Sequence, residues 1–347
     1  MSHGILALLL IFFSWPAIIV AQSREGVSLF GSDSLLDISL TFDLTAFIRH
    51  NREVASLPAM LKIYTPAGDT LDNAVTISTR GTFRLAHCTM PPMEISFKKP
   101  VMAYEGKGPV RKIKLVSTCE LGGKNDEYVL REYLVYRMFN IISDSSYRVR
   151  LLRVKYYDTG KSGKDMQLFG FFIEPKAILA ERVGSVVIEN MNLNQKYIEM
   201  RSMDKVAIFN YMVGNWDWAV QSLHNITVLK SLSYTGTDLG IAVPYDFDLT
   251  GIVDPFYNTP PSTTGLKSNR DRRYMGTARN KELIKTELAW FLTRKEKLYS
   301  LVNGFSYLDN RARKDIINYL DSFFSQVEHP RLLDNLADKI VEAGRDI

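Results

Sequence analysis

Two cysteines and five scattered histidines (His3, His50, His87, His224, His329) are a thin supply of metal ligands for 347 residues. With no Cys-x-x-Cys pair and no His-Glu-x-x-His helix, the sequence argues against a structural or catalytic zinc site. It also lacks a P-loop, because Gly160-Lys161-Ser162 has no earlier glycine at the required spacing, and it lacks the Gly-x-Ser-x-Gly elbow of a serine hydrolase. No internal repeat or low-complexity segment is present. Neither sign of charge dominates: 43 basic and 38 acidic residues leave +5, spread along the chain rather than gathered into a stripe, which does not favour nucleic acid as a partner. The one long uncharged run, from Ile5 to Ala21, is short of the ~20 apolar residues that span a bilayer. It reads as a signal peptide over 1–21, with cleavage before Gln22 and no transmembrane helix left afterwards, and an uncleaved membrane anchor is the alternative. No cysteine lies near that junction, which excludes lipid attachment there. The expected location is therefore outside the cytoplasm: periplasm, cell envelope or extracellular space. In that setting Cys88 and Cys119 are an even pair expected to form a disulfide, with two buried thiols as the alternative.

At 46% hydrophobic and 23% charged, the chain has the apolar content of a folded protein. After Phe30, Leu36, Ile38, Leu40 and Phe42 alternate with polar residues, the period of a half-buried strand. Shorter runs of the same kind recur at Met60 to Thr65, Val75 to Thr79, Met93 to Phe97 and Lys112 to Val116, with turns such as Pro66 to Asp69 between them. Glu127 to Ile142 contains no Gly or Pro and predicts one helix, after which Val149 to Tyr156 and Leu168 to Ile173 read as a hairpin about a turn at Gly160 to Gly163. Helical patterns follow over Ser202 to Val213, Asn280 to Val302 and Arg311 to Val327, with a short strand from Leu239 ending in acids. The expected class is α+β, with a β-rich unit over 22–174 and a helical unit over 175–347.

The segment from Gly214 through Asn215, Trp216, Asp217 and Trp218 is a poor helix continuation and sets Asp217 between two large aromatics. An acid so placed needs a partner. Farther on, Pro244-Tyr245-Asp246-Phe247-Asp248 delivers two carboxylates to the end of an apolar strand. With Asn225 they make an oxygen-rich set suited to magnesium or manganese. Capping of turns and helices is the structural alternative for each of them. An acid able to orient a hydroxyl, an amide able to hold a metal and a second acid at a strand end are parts that phosphoryl transfer needs. A cation would come from Lys112 or Lys114, just before the helix carrying Glu127 and Glu132. The basic stretch Lys267 to Arg279 would attract an acidic or phosphorylated acceptor if it is not simply a solvated loop.

Seven blocks in order, from Arg80-Gly81-Thr82-Phe83-Arg84 through Pro91 to Lys99, Lys112 to Leu115, Leu130 to Leu134, Phe169 to Glu174, Gly214 to Trp218 and Pro244 to Asp248, resemble those of the spore-coat CotH family of atypical protein kinases, themselves distantly similar to the HipA toxin kinases. The likeness runs over about residues 36 to 250. It implies a two-lobed protein-kinase-like fold, with a β-rich lobe carrying one helix and a helical second lobe. It also implies ATP or another nucleotide as phosphate donor, with magnesium or manganese. By the same resemblance Asp217 is the catalytic acid/base, Lys114 pairs with Glu132, Glu174 lies near the hinge, and Asn225, Asp246 and Asp248 hold the metal. No Gly-x-Gly-x-x-Gly loop is present, so Arg80 and Arg84 are expected to cover the phosphates. The function expected is an exported kinase acting on a protein or small hydroxyl acceptor. A non-catalytic envelope-binding protein is the first alternative, and a glycoside hydrolase using Asp217 and Asp246 is the second.

Overall fold

The computed structural model describes residues 28–49, 56–65, 70–81, 83–105, 107–121, 125–160, 164–189, 192–235, 238–277 and 279–345; the expected leader at 1–21, the turn at 66–69 and residues 161–163 of the expected turn lie outside them. The alternating run after Phe30 forms β1 (Leu36–Phe42), whose Leu36, Ile38, Leu40 and Phe42 are all buried. A pleated strand sends every second side chain to one face, so these four point together into the core. Antiparallel neighbours follow in chain order: β2 (Leu57–Tyr64), β3 (Thr70–Thr79), β4 (Met93–Tyr104) and β5 (Lys107–Ser117). The expected hairpin is β6 (Val149–Asp158) with β7 (Met166–Ile173), and β7 also pairs with β5. β6 then runs parallel to β1, from Leu36 beside Leu152 to Phe42 beside Asp158.

That last pairing closes the seven strands into a barrel in the order β1-β2-β3-β4-β5-β7-β6. It overturns the two-lobed kinase-like expectation, since the β-rich half is a closed mixed barrel. The half also holds more than one helix: α1 (Leu44–Arg49) and α2 (Phe83–His87) accompany α3 (Asn125–Ile142). The physical reason is edge pairing. Local periodicity gives a strand's buried face but says nothing about its second neighbour, and closure satisfies the N–H and C=O groups that β1 and β6 would otherwise leave at an edge. The class is α+β overall.

Ile38, Leu40, Ile77, Ile95, Leu115 and Phe172 are among the side chains that fill the barrel. The first half of β6 and the second half of β7 are buried on both faces, because Leu151, Phe171 and Ile173 point outward into a second core against α3, where Leu134 and Met138 are fully buried. Gly170 permits this packing: a Cβ there would stand 2.8 Å from the Val116 carbonyl oxygen on β5. The second core continues through α4 (Lys176–Arg182), β8 (Ser185–Ile188), α5 (Met200–Val213), β9 (Ile226–Ser231), β10 (Ile241–Pro244), α6 (Lys281–Leu292), α7 (Lys295–Asn303), α8 (Asn310–Glu328) and α9 (Pro330–Ala343). β10, β9 and β8 form a separate antiparallel sheet in that order. The single helix expected over Asn280 to Val302 is divided at Thr293 and Arg294, where the Arg294 guanidinium packs 3.7 Å from the centre of the Trp290 ring. Helix α8 buries Ile316, Leu320, Phe323, Phe324 and Val327 on one stripe. Among the described residues, no helix is long and apolar enough to cross a membrane.

Candidate active site

Helix α5 ends at Gly214, whose φ of 71° is the left-handed conformation that stops helices, and a Cβ there would collide with the Tyr319 hydroxyl. The chain then turns through Asn215, a fully buried side chain that donates to Asn210 Oδ1 at 3.0 Å and accepts from the Asp217 amide at 3.0 Å. Reciprocal backbone bonds of 2.9 Å between Ala219 and His224 fold the next residues into a hairpin. Across it, His224 Nε2 lies 2.7 Å from Asp217 Oδ1, while Asn225 Nδ2 donates to the Asp217 carbonyl at 2.7 Å and to Oδ2 at 3.0 Å. The hydrogen bond to Asp217 raises the His224 pKa against partial burial, helped by the charges of Asp217 and Asp246.

The second acidic segment leaves β10 directly. Tyr245 donates its amide to the Asn225 carbonyl at 3.0 Å, and the Asp246 amide donates to the Tyr136 hydroxyl of α3 at 2.8 Å. Asn225 and Asp246 both have left-handed φ, 53° and 62°. Such backbone costs of order 1–3 kcal/mol and gathers at functional sites, with Asn and Asp its best-tolerated non-glycine residues. The Asp246 carboxylate is exposed and has no hydrogen bond or ion pair among the described residues. Asp248 is 8% exposed, with the Tyr257 hydroxyl 3.5 Å from Oδ2, and Glu132 of α3 is 2% exposed. Burial, then the charge of Asp246, pushes Asp248 up to about 7. Burial, then Asp248 and Asp246, pushes Glu132 well above the usual carboxylate range.

The opposing cations come from the barrel. Burial works against the Arg84 charge, but Tyr257, Asp248, Glu132 and Asp246 outweigh it and raise the pKa. Arg84 sits on α2 and donates through Nη2 to the Ser117 carbonyl, while its Nε and that of Arg80 are enclosed without a hydrogen-bond partner among the described residues. Among the described residues no ion pair joins Lys114 to Glu132. Lys114 lies 5.5 Å from the centre of the Tyr245 ring, and burial, then Arg80, lowers its pKa. Strand spacing places Lys112 and Lys114 on one face, and that face looks into a cavity, whereas the positive charges that act against the raised Glu132 pKa are those of Arg84 and Arg80. The disulfide does form: Cys88, next to α2, is bonded to Cys119, just beyond β5, with Cα atoms 4.6 Å apart.

The cavity measures about 340 Å³ and lies between the barrel and the β8–β10 sheet, with Lys112, Lys114, Tyr147, Val187, Ile226 and Tyr245 among its walls. Glu174 also lines it, but its carboxylate is already occupied. Tyr104 donates to it at 2.6 Å, Arg182 at 2.9 and 3.0 Å, and the Arg148 amide at 3.1 Å. The Glu174 side chain is thus a strut between β7 and α4. The basic stretch is likewise engaged with the helical core: Arg270 on Asp315, Arg272 on the Met212 and Tyr319 carbonyls, and Arg279 on Asp204. His224 and Tyr257, which the sequence did not single out, belong to the site. The signal for His224 was its place beside Asn225 in a hairpin that no local pattern announces.

Among the described residues, no three His, Cys, Asp or Glu side chains gather as a metal site. The expected set of Asn225, Asp246 and Asp248 nevertheless fits magnesium or manganese by donor chemistry, since all three offer hard oxygens. Among the described residues Asp246 has no competing partner, and the charge repulsion that, after burial, raises Asp248 is what a divalent cation relieves. No protein-family model matches this chain, and no curated protein matches it.

Proposed function

We propose that this chain is an exported, metal-dependent phosphotransferase that moves the terminal phosphoryl group of ATP or another nucleotide to a hydroxyl of a protein or small molecule. The observation that carries the reading is the division of labour among the acids beside the cavity. Asp217 is held by His224 and Asn225, whereas Asp246 stands free a few residues beyond the same backbone ladder. The cavity has the size and mostly apolar walls of a small-molecule site. In this reading it takes the nucleoside, and Lys114, Arg80 and Arg84 face the phosphates. The acceptor oxygen attacks the terminal phosphorus, its proton passes to Asp217, and the bond to the bridging oxygen breaks to release the nucleoside diphosphate. Magnesium or manganese on Asn225, Asp246 and Asp248 would neutralise phosphate charge. The ordered blocks resembling CotH kinases support the same chemistry. The disulfide supports export, because such bonds persist in oxidising compartments.

A non-catalytic envelope-binding protein is the second reading, and the observation in its favour is that both Asp217 carboxylate oxygens already have partners. Incubating the purified mature protein with labelled ATP or GTP and manganese separates the two. Label on the protein or on an added envelope fraction is the expected result; nucleotide binding without transfer supports the second reading.

A further inference from the structure

Five aromatic rings follow one another across the surface from α2 to α3. Phe83 stacks on His87 at 4.3 Å, Tyr257 lies 6.2 Å from Phe83, Phe256 5.2 Å from Tyr257, and Tyr128 6.3 Å from Phe256. Phe83 is 43% exposed and Phe256 58%. Rings of this size gain much from burial, so large rings left in water next to two half-buried ones make a surface that folding alone does not account for. At its middle the line reaches the candidate active site, where the Tyr257 hydroxyl is 3.5 Å from Asp248 Oδ2.

At the Tyr128 end lies a second cavity, of about 270 Å³, between α3, the segment after Asp248 and the start of α8. Two of its three arginines are already engaged: Arg131 with Glu127, Asp315 and the Ile252 carbonyl, and Arg270 with Asp315. The third, Arg311, is exposed and has no hydrogen bond or ion pair among the described residues. Against them stand four carboxylates, Glu127, Asp254, Asp309 and Asp315. This balance repels a polyanion and leaves hydrogen-bond acceptors in surplus, so it suits a neutral ligand rich in O–H donors. A pyranose sugar has that chemistry: its C–H face lies flat on an aromatic ring, while its hydroxyls donate to carboxylates and accept from a guanidinium. An extended peptide is recognised instead by adding to a strand edge or by seating side chains in a groove, and none of the five rings lies on a strand.

We propose that the line of rings from Phe83 to Tyr128, with the cavity at its end, binds a carbohydrate chain, and that the acceptor hydroxyl belongs to that chain. The second half rests on the phosphotransferase reading. One sugar hydroxyl attacks the terminal phosphorus, its proton passes to Asp217, and the bond to the bridging oxygen breaks to release the nucleoside diphosphate, leaving a sugar phosphate ester. The first half, binding, stands without that reading.

Calorimetry of the purified mature chain with maltohexaose, cellohexaose and chitohexaose, in the absence of nucleotide, tests binding. At least one should bind, and Phe83→Ala and Phe256→Ala should each weaken it about ten-fold, the size of one lost aromatic contact. Arg311→Ala should weaken it less. Tyr197→Ala removes a ring that is 51% exposed and outside the line, and should change nothing. Both phenylalanines are on the surface, so the circular dichroism of the variants should match wild type. Failure of all three sugars to bind overturns the proposal, as does binding that survives loss of both phenylalanines. An aromatic-rich peptide that binds in place of the sugars, and is lost in the same variants, makes the line a peptide groove and overturns it too. Transfer is then read with labelled ATP and manganese, and label on the bound sugar is expected. Sugar binding with no label on any acceptor keeps the carbohydrate site and removes the phosphotransferase reading. Label on an added protein, with the bound sugar unlabelled, keeps that reading and overturns the assignment of the acceptor.

Discussion

The two sides of the candidate site are built by different means. The barrel side contributes the cations Arg80, just past β3, Arg84 on α2 and Lys114 on β5, with one disulfide joining the ends of α2 and β5. The helical half contributes the acids Asp217, Asp246 and Asp248, held by loops in which side chains bond to backbone and Gly214, Leu223, Asn225 and Asp246 take left-handed φ. Glu132 alone crosses over, because α3 packs on both the barrel and α5. The barrel side thus draws its geometry from apolar burial, whereas the acid side draws it from a small polar network in which each bond counts.

Mutations on the two sides should therefore fail differently. The largest effect is expected for Asp217→Asn, which keeps the hydrogen-bonding shape but removes the carboxylate that the proposed mechanism uses as its base; phosphate transfer should fall by about 10²- to 10⁴-fold. Calorimetry should still find nucleotide bound, and a wild-type transfer rate would remove Asp217 from the chemistry. On the barrel side, Phe172→Ala empties a fully buried site and should cost about 3–5 kcal/mol in urea denaturation. A cost under about 1 kcal/mol would mean the barrel interior can collapse around the cavity. Asn215→Ala strips the Asp217 amide and Asn210 of a buried partner, so about 1–3 kcal/mol should be lost, with transfer slowed beyond what the stability loss explains. Equal transfer rates would show that the acid loop is held some other way.

The smallest effect concerns Asp315. Partial burial works to raise its pKa, but hydrogen bonds from Arg270 and Arg131 outweigh this and lower it from the ordinary 3.8. Because the folded value is the lower one, the stabilisation is complete above about 3.8 and is lost as pH falls through the depressed value. Thermal melting should show that slope, and Asp315→Asn should flatten it. An unaltered acid limb in the variant would place the acid sensitivity elsewhere.

The alternation from Leu36 to Phe42 reveals both a strand and the face it buries, because the pleat makes burial periodic. The parallel partner of β1 is invisible to that argument, since pairing with β6 depends on residues far along the chain. Helix α2 is too short to carry a period, and the break between α6 and α7 falls at Thr293 and Arg294 without a glycine or proline to mark it. At the site, Asp217, Asn225, Asp246 and Asp248 stand out as oxygen donors in unusual strings, and the structure brings them into one neighbourhood. Glu132 looked like the partner of Lys114, and no ion pair joins them among the described residues. Strand period fixes a face and not a distance, so it could not say which acid Lys114 meets. Glu174 looked available because Arg182, its partner, lies on a helix that the sequence does not announce.

The parallel closure also orders events in time. The ion pair between Asp37 of β1 and Arg153 of β6 joins residues 116 apart, so the barrel cannot shut until β6 has been made. Contacts of such long range slow folding, because the chain must give up loop entropy before it gains any packing. While it waits, β1 remains an open edge, a hazard for aggregation and an opportunity for chaperones. A nascent chain therefore stays open along this edge until its middle has left the ribosome.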